Sequence, residues 1–293
     1  MAECPALEIS LGSPTDAYLL DRLYALLDDF EPVAIHDDDL NDSLRVFFRT
    51  PASRDAALAA LRGEHGVAAA AIDVPDEDWA RRSQENLRAI EAGGLIIAPP
   101  WDVPGRRTAG RGPRTDLPVI IIEPSTGFGT GHHATTRLCL RMLQRLAGPE
   151  GSGLQPVLRG ARVLDIGTGS GVLALAAWKL GAADVTAIDN DPDALENARA
   201  NIARNGAGPS IDVICDDLRS LRIQRADVVL ANLTGAVLVK YASELRALAV
   251  DGGYLILSGF APQDAAVVRA AFRGLSVIDE AAEDEWAALS LRE

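Results

Sequence analysis

The chain has 293 residues, of which 48% are hydrophobic and 24% are charged, a composition typical of one large or two ordinary globular domains rather than of a disordered protein. Its 28 Lys and Arg against 42 Asp and Glu leave a formal charge of −14, which disfavours direct binding of nucleic acid because affinity for phosphates comes from basic side chains. No apolar run approaches the about 20 residues of a membrane-spanning helix, and three widely spaced cysteines offer no disulfide framework, so we expect a cytoplasmic protein without a membrane segment.

The first 75 residues predict a small α+β domain. The hydrophobic pattern gives the order β-α-β-β-α-β, which is that of a ferredoxin-like fold. Residues 1–93 hold 19 acidic and 8 basic side chains, so they carry −11 of the total charge. An acidic region attracts a basic partner, and solubility alone is the alternative. The predicted strands cover 7–11, 33–36, 44–49 and 67–74, and the predicted helices cover 16–30 and 56–61.

A polar linker follows this domain. Asp76 can cap a helix over residues 76–92, and Gly93-Gly94 would end it. A mostly polar helix can bridge two domains, so the chain divides into residues 1–75, a linker over 76–98 and a second domain over 99–293. Arginines among Gly and Pro predict a solvated basic loop over 104–114, with RNA contact as the alternative.

From residue 117 onward, predicted strands and helices alternate. This rhythm predicts an α/β fold with a largely parallel, doubly wound sheet. The predicted strands cover 119–122, 163–166, 185–188, 212–215, 228–231 and 254–257, and the predicted helices cover 133–146, 172–180 and 192–205.

A glycine-rich turn joins strand 163–166 to the next helix. Asp165 lies near the end of the strand, and Gly167, Gly169 and Gly171 follow it. Glycine lets a ligand approach the backbone, and the N–H groups of the helix N-terminus bind a carboxylate or phosphate. The dinucleotide fingerprint is G-x-G-x-x-G, whereas G-x-G-x-G is typical of class I S-adenosylmethionine-dependent methyltransferases. The alternative is a glycine-rich turn in another kind of α/β protein.

Acidic residues follow the next two strands. Asp189 lies 22 residues past Gly167, where the acid of the second strand takes the ribose hydroxyls of a nucleoside. Asp191 can cap the following helix, so Asp189 is not needed for that role. Asp216 follows the third strand, where it can accept a hydrogen bond from the adenine amino group or serve as an ordinary turn residue.

Asn232 ends the fourth strand and is the candidate for binding the methyl acceptor. In enzymes that methylate amines, a polar amide at this strand end accepts a hydrogen bond from the nucleophile. Enzymes that act on base amines usually have Asn-Pro-Pro and an aromatic residue that stacks on the extruded base. Leu-Thr-Gly follows Asn232 instead, which favours an amine on protein, with a structural turn residue as the alternative.

A second glycine-rich segment, residues 124–131, precedes a helix whose first turn holds Thr135 and Thr136. Hydroxyls and N–H groups in that turn can bind a carboxylate. The adjacent His132 and His133 do not predict a metal site, because neighbouring residues rarely point at one ion and no Cys or carboxylate at ligand spacing supports them.

These segments together resemble the ribosomal protein L11 methyltransferases (the PrmA family). The resemblance implies a Rossmann-like methyltransferase domain, an N-terminal substrate-recognition domain on a mobile linker, and cofactor contacts from Thr136, Gly167, Asp189 and Asn232. The chain departs from the family's Thr-His-Pro by having His-His-Ala at residues 132–134. The segments that carry the resemblance are Phe-Gly-Thr-Gly-His-His-Ala-Thr-Thr over 128–136, the glycine turn over 165–171, and residues 98–101, 189–192, 231–233 and 257–259.

We therefore expect a methyltransferase that moves methyl from S-adenosylmethionine to amino groups of a basic large-subunit ribosomal protein, free or on the ribosome. The amines would be lysine side chains, the N-terminal amine, or both, with Asn232 positioning them and no metal involved. The alternatives are an enzyme of this fold acting on another protein, RNA or a small molecule, or a non-catalytic interaction protein. The expected cofactor-binding residues are Thr136, Asp165, Gly167, Gly169, Gly171, Asp189, Asp216 and Asn232.

Overall fold

The computed structural model describes residues 3–11, 23, 26–27, 30, 32, 34–38, 43–62, 64, 66–75, 87–104, 117–124, 131–148 and 156–293. The chain divides between Asn86 and Leu87 into two compact units. Several predicted segments lie outside the described residues: most of the helix over 16–30, residues 76–86 of the linker predicted over 76–98, most of the basic loop, and the Phe128–Thr130 part of the second glycine-rich segment.

The N-terminal unit contains a four-stranded antiparallel sheet in the order β2-β3-β1-β4, as the predicted ferredoxin-like fold requires. Helix α1 begins after Thr50, whose hydroxyl accepts from the Ser53 N–H at 3.1 Å and so caps it. Leu23 and Leu27 are helical and pack with the inward residues of the sheet. The elements are β1 (Glu3–Leu11), β2 (Ala34–Asp38), β3 (Ser43–Phe47), α1 (Pro51–Leu61) and β4 (Val67–Pro75).

The helix predicted over residues 76–92 is wrong at its C-terminal end. Residues 90–92 form strand β5 (Ile90–Ala92), which pairs antiparallel with β6 (Leu95–Ala98), and β6 pairs parallel with β7 (Val119–Ile121). Gly93 and Gly94 have φ of +57° and +68°, and they form the turn of this hairpin. A Cβ on Gly93 would overlap the backbone oxygen of Leu140, so only glycine fits there.

The C-terminal unit is built on a seven-stranded sheet in the order β10-β9-β8-β11-β12-β14-β13. The first five strands in that order are mutually parallel, and β14 runs antiparallel to both of its neighbours. The predicted strands are confirmed, and β13 and β14 are additional. The strands are β8 (Arg162–Ile166), β9 (Asp184–Asp189), β10 (Ile211–Cys215), β11 (Ala226–Asn232), β12 (Ala249–Phe260), β13 (Ser276–Glu283) and β14 (Trp286–Arg292).

Helices cover both faces of this sheet, as a doubly wound fold requires. Strand β8 shows this directly, because Val163 packs into one hydrophobic cluster and Leu164 into the other. Of the helices in the described residues, none is long and apolar enough to cross a membrane. Helices α2 (Ala134–Ala147), α3 (Val172–Lys179) and α4 (Pro192–Arg204) lie on one face, and α5 (Gly235–Lys240), α6 (Ala242–Ala247) and α7 (Ala265–Ala271) lie on the other.

Candidate functional site

The turn between β8 and α3 is built on three glycines in the left-handed region of φ. Gly167, Gly169 and Gly171 have φ of +69°, +53° and +81°, a region that side chains disfavour. The N–H groups of Gly167 and Thr168 donate to the carbonyl of Ile188 at 2.9 and 3.0 Å, which ties the turn to β9. Helix α3 follows without a side-chain cap from its N-cap residue Gly171, and the Ala174 N–H in its first turn donates to Asp165.

Asp165 supports this turn from beneath. Its side chain is buried, and one carboxylate oxygen accepts from the Thr168 hydroxyl at 2.6 Å and from the Ala174 N–H at 3.1 Å. Burial raises the pKa of Asp165 to about 6, and the two hydrogen bonds partly offset that rise. Asp165 therefore holds the turn in place, and its contact with a cofactor stays a prediction.

Asp189 ends β9 beside the glycine turn. Its Oδ2 accepts from the Gly169 N–H at 2.9 Å, and its Oδ1 accepts from the Asp191 N–H at 3.1 Å. Asp191 caps α4 by accepting from the Asp193 N–H at 2.9 Å, as predicted. The half-buried Asp189 carboxylate thus lies next to the glycine backbone, as a ribose-binding acid should.

Asp216 follows β10 and adjoins Asp189 through the backbone, since its N–H donates to the Asp189 carbonyl at 3.1 Å. Its Oδ1 accepts from the Asp217 N–H at 2.7 Å and from the Ser220 hydroxyl at 3.0 Å. The neighbouring Asp217 is paired with Arg219, which lowers the pKa of Asp217 to about 2. Of the two acids at this strand end, Asp216 therefore has one oxygen committed to the turn, and Asp217 is committed to an arginine.

Asn232 ends β11 and contacts the first turn of α2. Its Nδ2 donates to Thr135 Oγ1 at 3.1 Å across 97 residues of sequence. Thr135 and Thr136 are buried, and Thr135 Oγ1 lies 2.8 Å from His133 Nδ1. The predicted amine-positioning residue and the predicted carboxylate-binding turn therefore lie side by side.

A cavity of about 340 Å³ opens beside this contact, at the start of α2. The His133 ring packs edge-on against Trp286, with ring centroids 5.0 Å apart. Burial lowers the pKa of His133, and the charge of Arg137 lowers it further. The sequence did not indicate Trp286, because β14 was not predicted. The cavity is lined by His132, His133, Ala134, Arg137, Asp284, Glu285 and Trp286.

Asn201 is a further residue that the sequence analysis missed. Its side chain is fully buried on α4, where Oδ1 accepts from the Glu123 N–H at 2.8 Å and Nδ2 donates to the Ser170 carbonyl at 3.0 Å. It therefore joins the segment before residues 125–130 to the glycine turn. The available signal was an Asn inside a helix, where that residue is unfavourable unless its side chain has partners.

The sequence-predicted residues fit a nucleoside cofactor with a carboxylate. The glycines, Asp165, Asp189 and Asp216 form one continuous set of contacts, and Asn232 lies with Thr135 and Thr136. Leu233 connects the two sets, since a Cβ on Gly167 would overlap its side chain. The set combines a glycine backbone and a helix N-terminus with the Asp189 carboxylate, which are the kinds of group that bind a nucleoside and an amino-acid carboxylate.

Comparison with known proteins gives the family. The model of the family "Ribosomal protein L11 methyltransferase (PrmA)" matches residues 37–293. A ribosomal protein L11 methyltransferase of Geotalea uraniireducens is 38% identical over 260 residues, covering 86% of this chain and 77% of that protein. The enzyme of the same name from Pelotomaculum thermopropionicum is 37% identical over 240 residues, covering 81% and 72%.

A solved structure supports the fold. The ribosomal protein L11 methylase of Lactobacillus delbrueckii subsp. bulgaricus superimposes with a TM-score of 0.57 at 24% identity, covering 70% of this chain and 97% of that one. At 24% identity this similarity supports the fold alone. The family model and the relatives at 37–38% identity show the family. The chain therefore belongs to the ribosomal protein L11 methyltransferase (PrmA) family.

Proposed function

We propose that this protein transfers methyl groups from S-adenosylmethionine to amino groups of ribosomal protein L11, on lysine side chains, the N-terminal amine, or both. The observation that carries the proposal is the Asn232 amide at the end of β11, whose neighbour Leu233 adjoins Gly167 of the glycine turn, in a chain of this family. S-adenosylmethionine supplies an electrophilic methyl group when bound. The protein's residues bind the cofactor, orient the amine and keep it unprotonated.

The cofactor contacts follow from the donors and acceptors at the site. The N–H groups of Val172 and Leu173, which begin α3, would suit polar oxygens of the ligand. The Asp189 carboxylate has lone pairs beyond the two it now uses, so it can also accept from ribose hydroxyls. Thr136 in the first turn of α2 would bind the amino-acid carboxylate, and the second oxygen of Asp216 would accept from the adenine amino group.

The amine must be neutral to act as a nucleophile. A free lysine amine has a pKa of about 10.4, and burial disfavours its ammonium form. Asn232 Oδ1 would accept a hydrogen bond from the amine and so direct its lone pair. Proximity and orientation then supply most of the remaining rate enhancement.

The N-terminal region would recognise the substrate. Residues 1–75 contain none of the cofactor motifs, and residues 1–93 carry −11 of the chain's charge. Such a region attracts a basic protein and repels phosphate backbones, so ribosomal protein L11 fits better than RNA. We assign residues 76–98 to the linker, of which 87–98 belong to the second compact unit, and 99–293 to the methyltransferase domain. We place the protein in the cytoplasm.

The proposal is tested by offering labelled S-adenosylmethionine with purified ribosomal protein L11, other ribosomal proteins and ribosomal RNA. We expect label on L11, and Asn232→Ala should reduce turnover more than it reduces cofactor affinity. Label on RNA but not on L11 would move the protein to the alternative class of RNA methyltransferases. Normal turnover by Asn232→Ala on saturating L11 would make that residue a structural turn residue.

A further inference from the structure

Asn232 belongs to a hydrogen-bonded chain of three side chains. Its Nδ2 donates to Thr135 Oγ1 at 3.1 Å, and Thr135 Oγ1 lies 2.8 Å from His133 Nδ1. Within the described part of the chain, no group donates to Asn232 Oδ1. The acceptor end of the amide is therefore left for another partner, while its donor end is occupied.

The single proton of the Thr135 hydroxyl sets the direction of this chain. Because Oγ1 accepts from Asn232, its own proton is available to His133 Nδ1, which then acts as the acceptor. Burial lowers the pKa of His133 and so favours the neutral ring. Of the two neutral tautomers, the one with its proton on Nε2 has Nδ1 as an acceptor, and it matches an Asn232 amide whose NH₂ group faces Thr135.

His133 is itself held in place by the β13–β14 hairpin. Its ring meets Trp286 edge-on, at an interplanar angle of 62°. Arg137 hydrogen-bonds the carbonyl of His132, and its Nε donates to Glu283 Oε1 at 2.5 Å. Among the described residues, the titratable and charged groups that line the cavity with the histidine are Arg137 on α2, Asp284 and Glu285 in the hairpin turn, and His132 beside it.

We propose that Thr135 and His133 are positioning residues for the methyl acceptor, which fix the Asn232 amide so that Oδ1 faces the amine. This inference rests on the proposed function and gives Thr135 and His133 a role that neither the motifs nor the family description assigns. An amide turned the other way would present its NH₂ group to the amine. That group would donate a hydrogen bond to the lone pair of the amine, which is then no longer available to attack the methyl group. The chain of hydrogen bonds makes that orientation unfavourable, because the single proton of the Thr135 hydroxyl would have to serve both Asn232 Oδ1 and His133 Nδ1, and one of these acceptors would be left without a donor.

Removing the Thr135 hydroxyl tests the middle member of the three hydrogen-bonded side chains. Thr135→Val keeps the shape of the side chain, and we expect it to lower kcat on ribosomal protein L11 about tenfold, the effect of one lost hydrogen bond, with unchanged affinity for S-adenosylmethionine. Thr135→Ser restores the hydroxyl and should recover most of the turnover. Thr186→Val is the matched control, because Thr186 is also a buried threonine and lies in β9.

The pH dependence of kcat tests the role of His133, at the end of the hydrogen-bonded chain. Protonation of His133 turns Nδ1 into a donor and reverses the bond to Thr135, so wild-type kcat should fall as pH drops through a value below 6.5. His133→Asn can offer an oxygen acceptor that does not titrate, and it should lose that acidic limb. The ionisation of the lysine amine affects both proteins equally, so the ratio of the two profiles isolates His133.

Two results would overturn the inference. One is a folded Thr135→Val protein that turns over as fast as wild type. The other is an acidic limb that is identical in wild type and His133→Asn. Failure of the proposed function looks different, because wild-type protein would then bind S-adenosylmethionine and leave ribosomal protein L11 unmodified. Thermal unfolding of every variant shows whether a loss of kcat reflects a loss of structure, and Thr135→Ser keeps the test decisive if Thr135→Val is unstable.

Discussion

Asp189 connects the glycine turn to the start of α4 through one carboxylate. It accepts from Gly169 at 2.9 Å and from Asp191 at 3.1 Å, and it lies at the strand end where a ribose would be held. Hydrogen bonds to a charged group contribute about 1.5–3 kcal/mol each, so Asp189→Ala should weaken S-adenosylmethionine binding about tenfold or more. Calorimetry gives the affinity directly.

The control for that variant lies two residues away. Asp191→Ala removes the cap of α4 and should cost about 1 kcal/mol of stability, with little change in cofactor affinity. Equal affinities for the wild type and Asp189→Ala would remove Asp189 from the binding site.

Asp165 gives a prediction about stability and pH. Its pKa is raised from 3.8 to about 6, so the folded state holds a proton that the unfolded state releases between those values. The free energy of unfolding should therefore lose up to about 3 kcal/mol from this group as pH rises through that window. Asp165→Asn lacks this ionisation, so its free energy of unfolding should not fall in the same way. Relative to wild type, the variant should therefore be more stable at pH 7 than at pH 4. A pH-independent difference between the two proteins would contradict the raised pKa.

At the scale of elements, the sequence predicted what depends on local pattern. The doubly wound sheet, the glycine turn after Asp165 and the cap at Asp191 followed from hydrophobic period, glycine spacing and capping chemistry. The pairing of Asn232 with Thr135 did not follow, because the two residues are 97 positions apart and meet only when β11 and α2 pack. Strands β13 and β14, and with them Trp286, were also missed.

The Gly93-Gly94 turn shows how a local signal can be ambiguous. Two glycines after a polar segment are compatible with the end of a helix and also with a turn between two strands. The sequence pattern alone did not distinguish these two structures. The structure decides for a hairpin, because both glycines have positive φ and Gly93 approaches the backbone of α2. The constraint comes from a helix that begins some forty residues later in the chain.

The close approach of Gly93 to the backbone of α2 can be tested by mutation. Gly93→Ala requires positive φ and also forces a Cβ onto the Leu140 carbonyl, whereas Gly206→Ala requires positive φ in open space. We expect Gly206→Ala to cost about 1 kcal/mol of unfolding free energy and Gly93→Ala to cost about 1–3 kcal/mol more. Denaturant unfolding of the two variants compares them, and equal costs would show that the turn does not press on α2.

At the scale of the whole molecule, the cofactor motifs and the acidity are separated along the chain. Residues 1–75 hold no cofactor motif, while residues 1–93 carry −11 of the −14 charge. A fragment that starts at Asp76 should therefore still bind S-adenosylmethionine and should lose methylation of ribosomal protein L11. A folded fragment that methylates L11 at the full-length rate would defeat the recognition role of the N-terminal region.

The salt dependence of substrate association tests the same recognition role in the full-length protein. Exposed charges are screened beyond a Debye length of about 8 Å at physiological ionic strength, so association with a basic substrate should slow as salt rises. Binding of S-adenosylmethionine should change little over the same range, because its contacts are short and local. A salt-independent association rate would leave the acidic residues with a role in solubility alone.

The identity of the methylated atoms tests the central claim most directly. Purified ribosomal protein L11 is incubated with the full-length protein and S-adenosylmethionine, and mass spectrometry of its peptides locates the added methyl groups. The account predicts methyl groups on lysine Nζ atoms, on the N-terminal amine, or on both, and far fewer of them with Asn232→Ala. Methylation confined to oxygen or sulfur atoms of L11, or an unmodified L11 in the presence of bound cofactor, would contradict it.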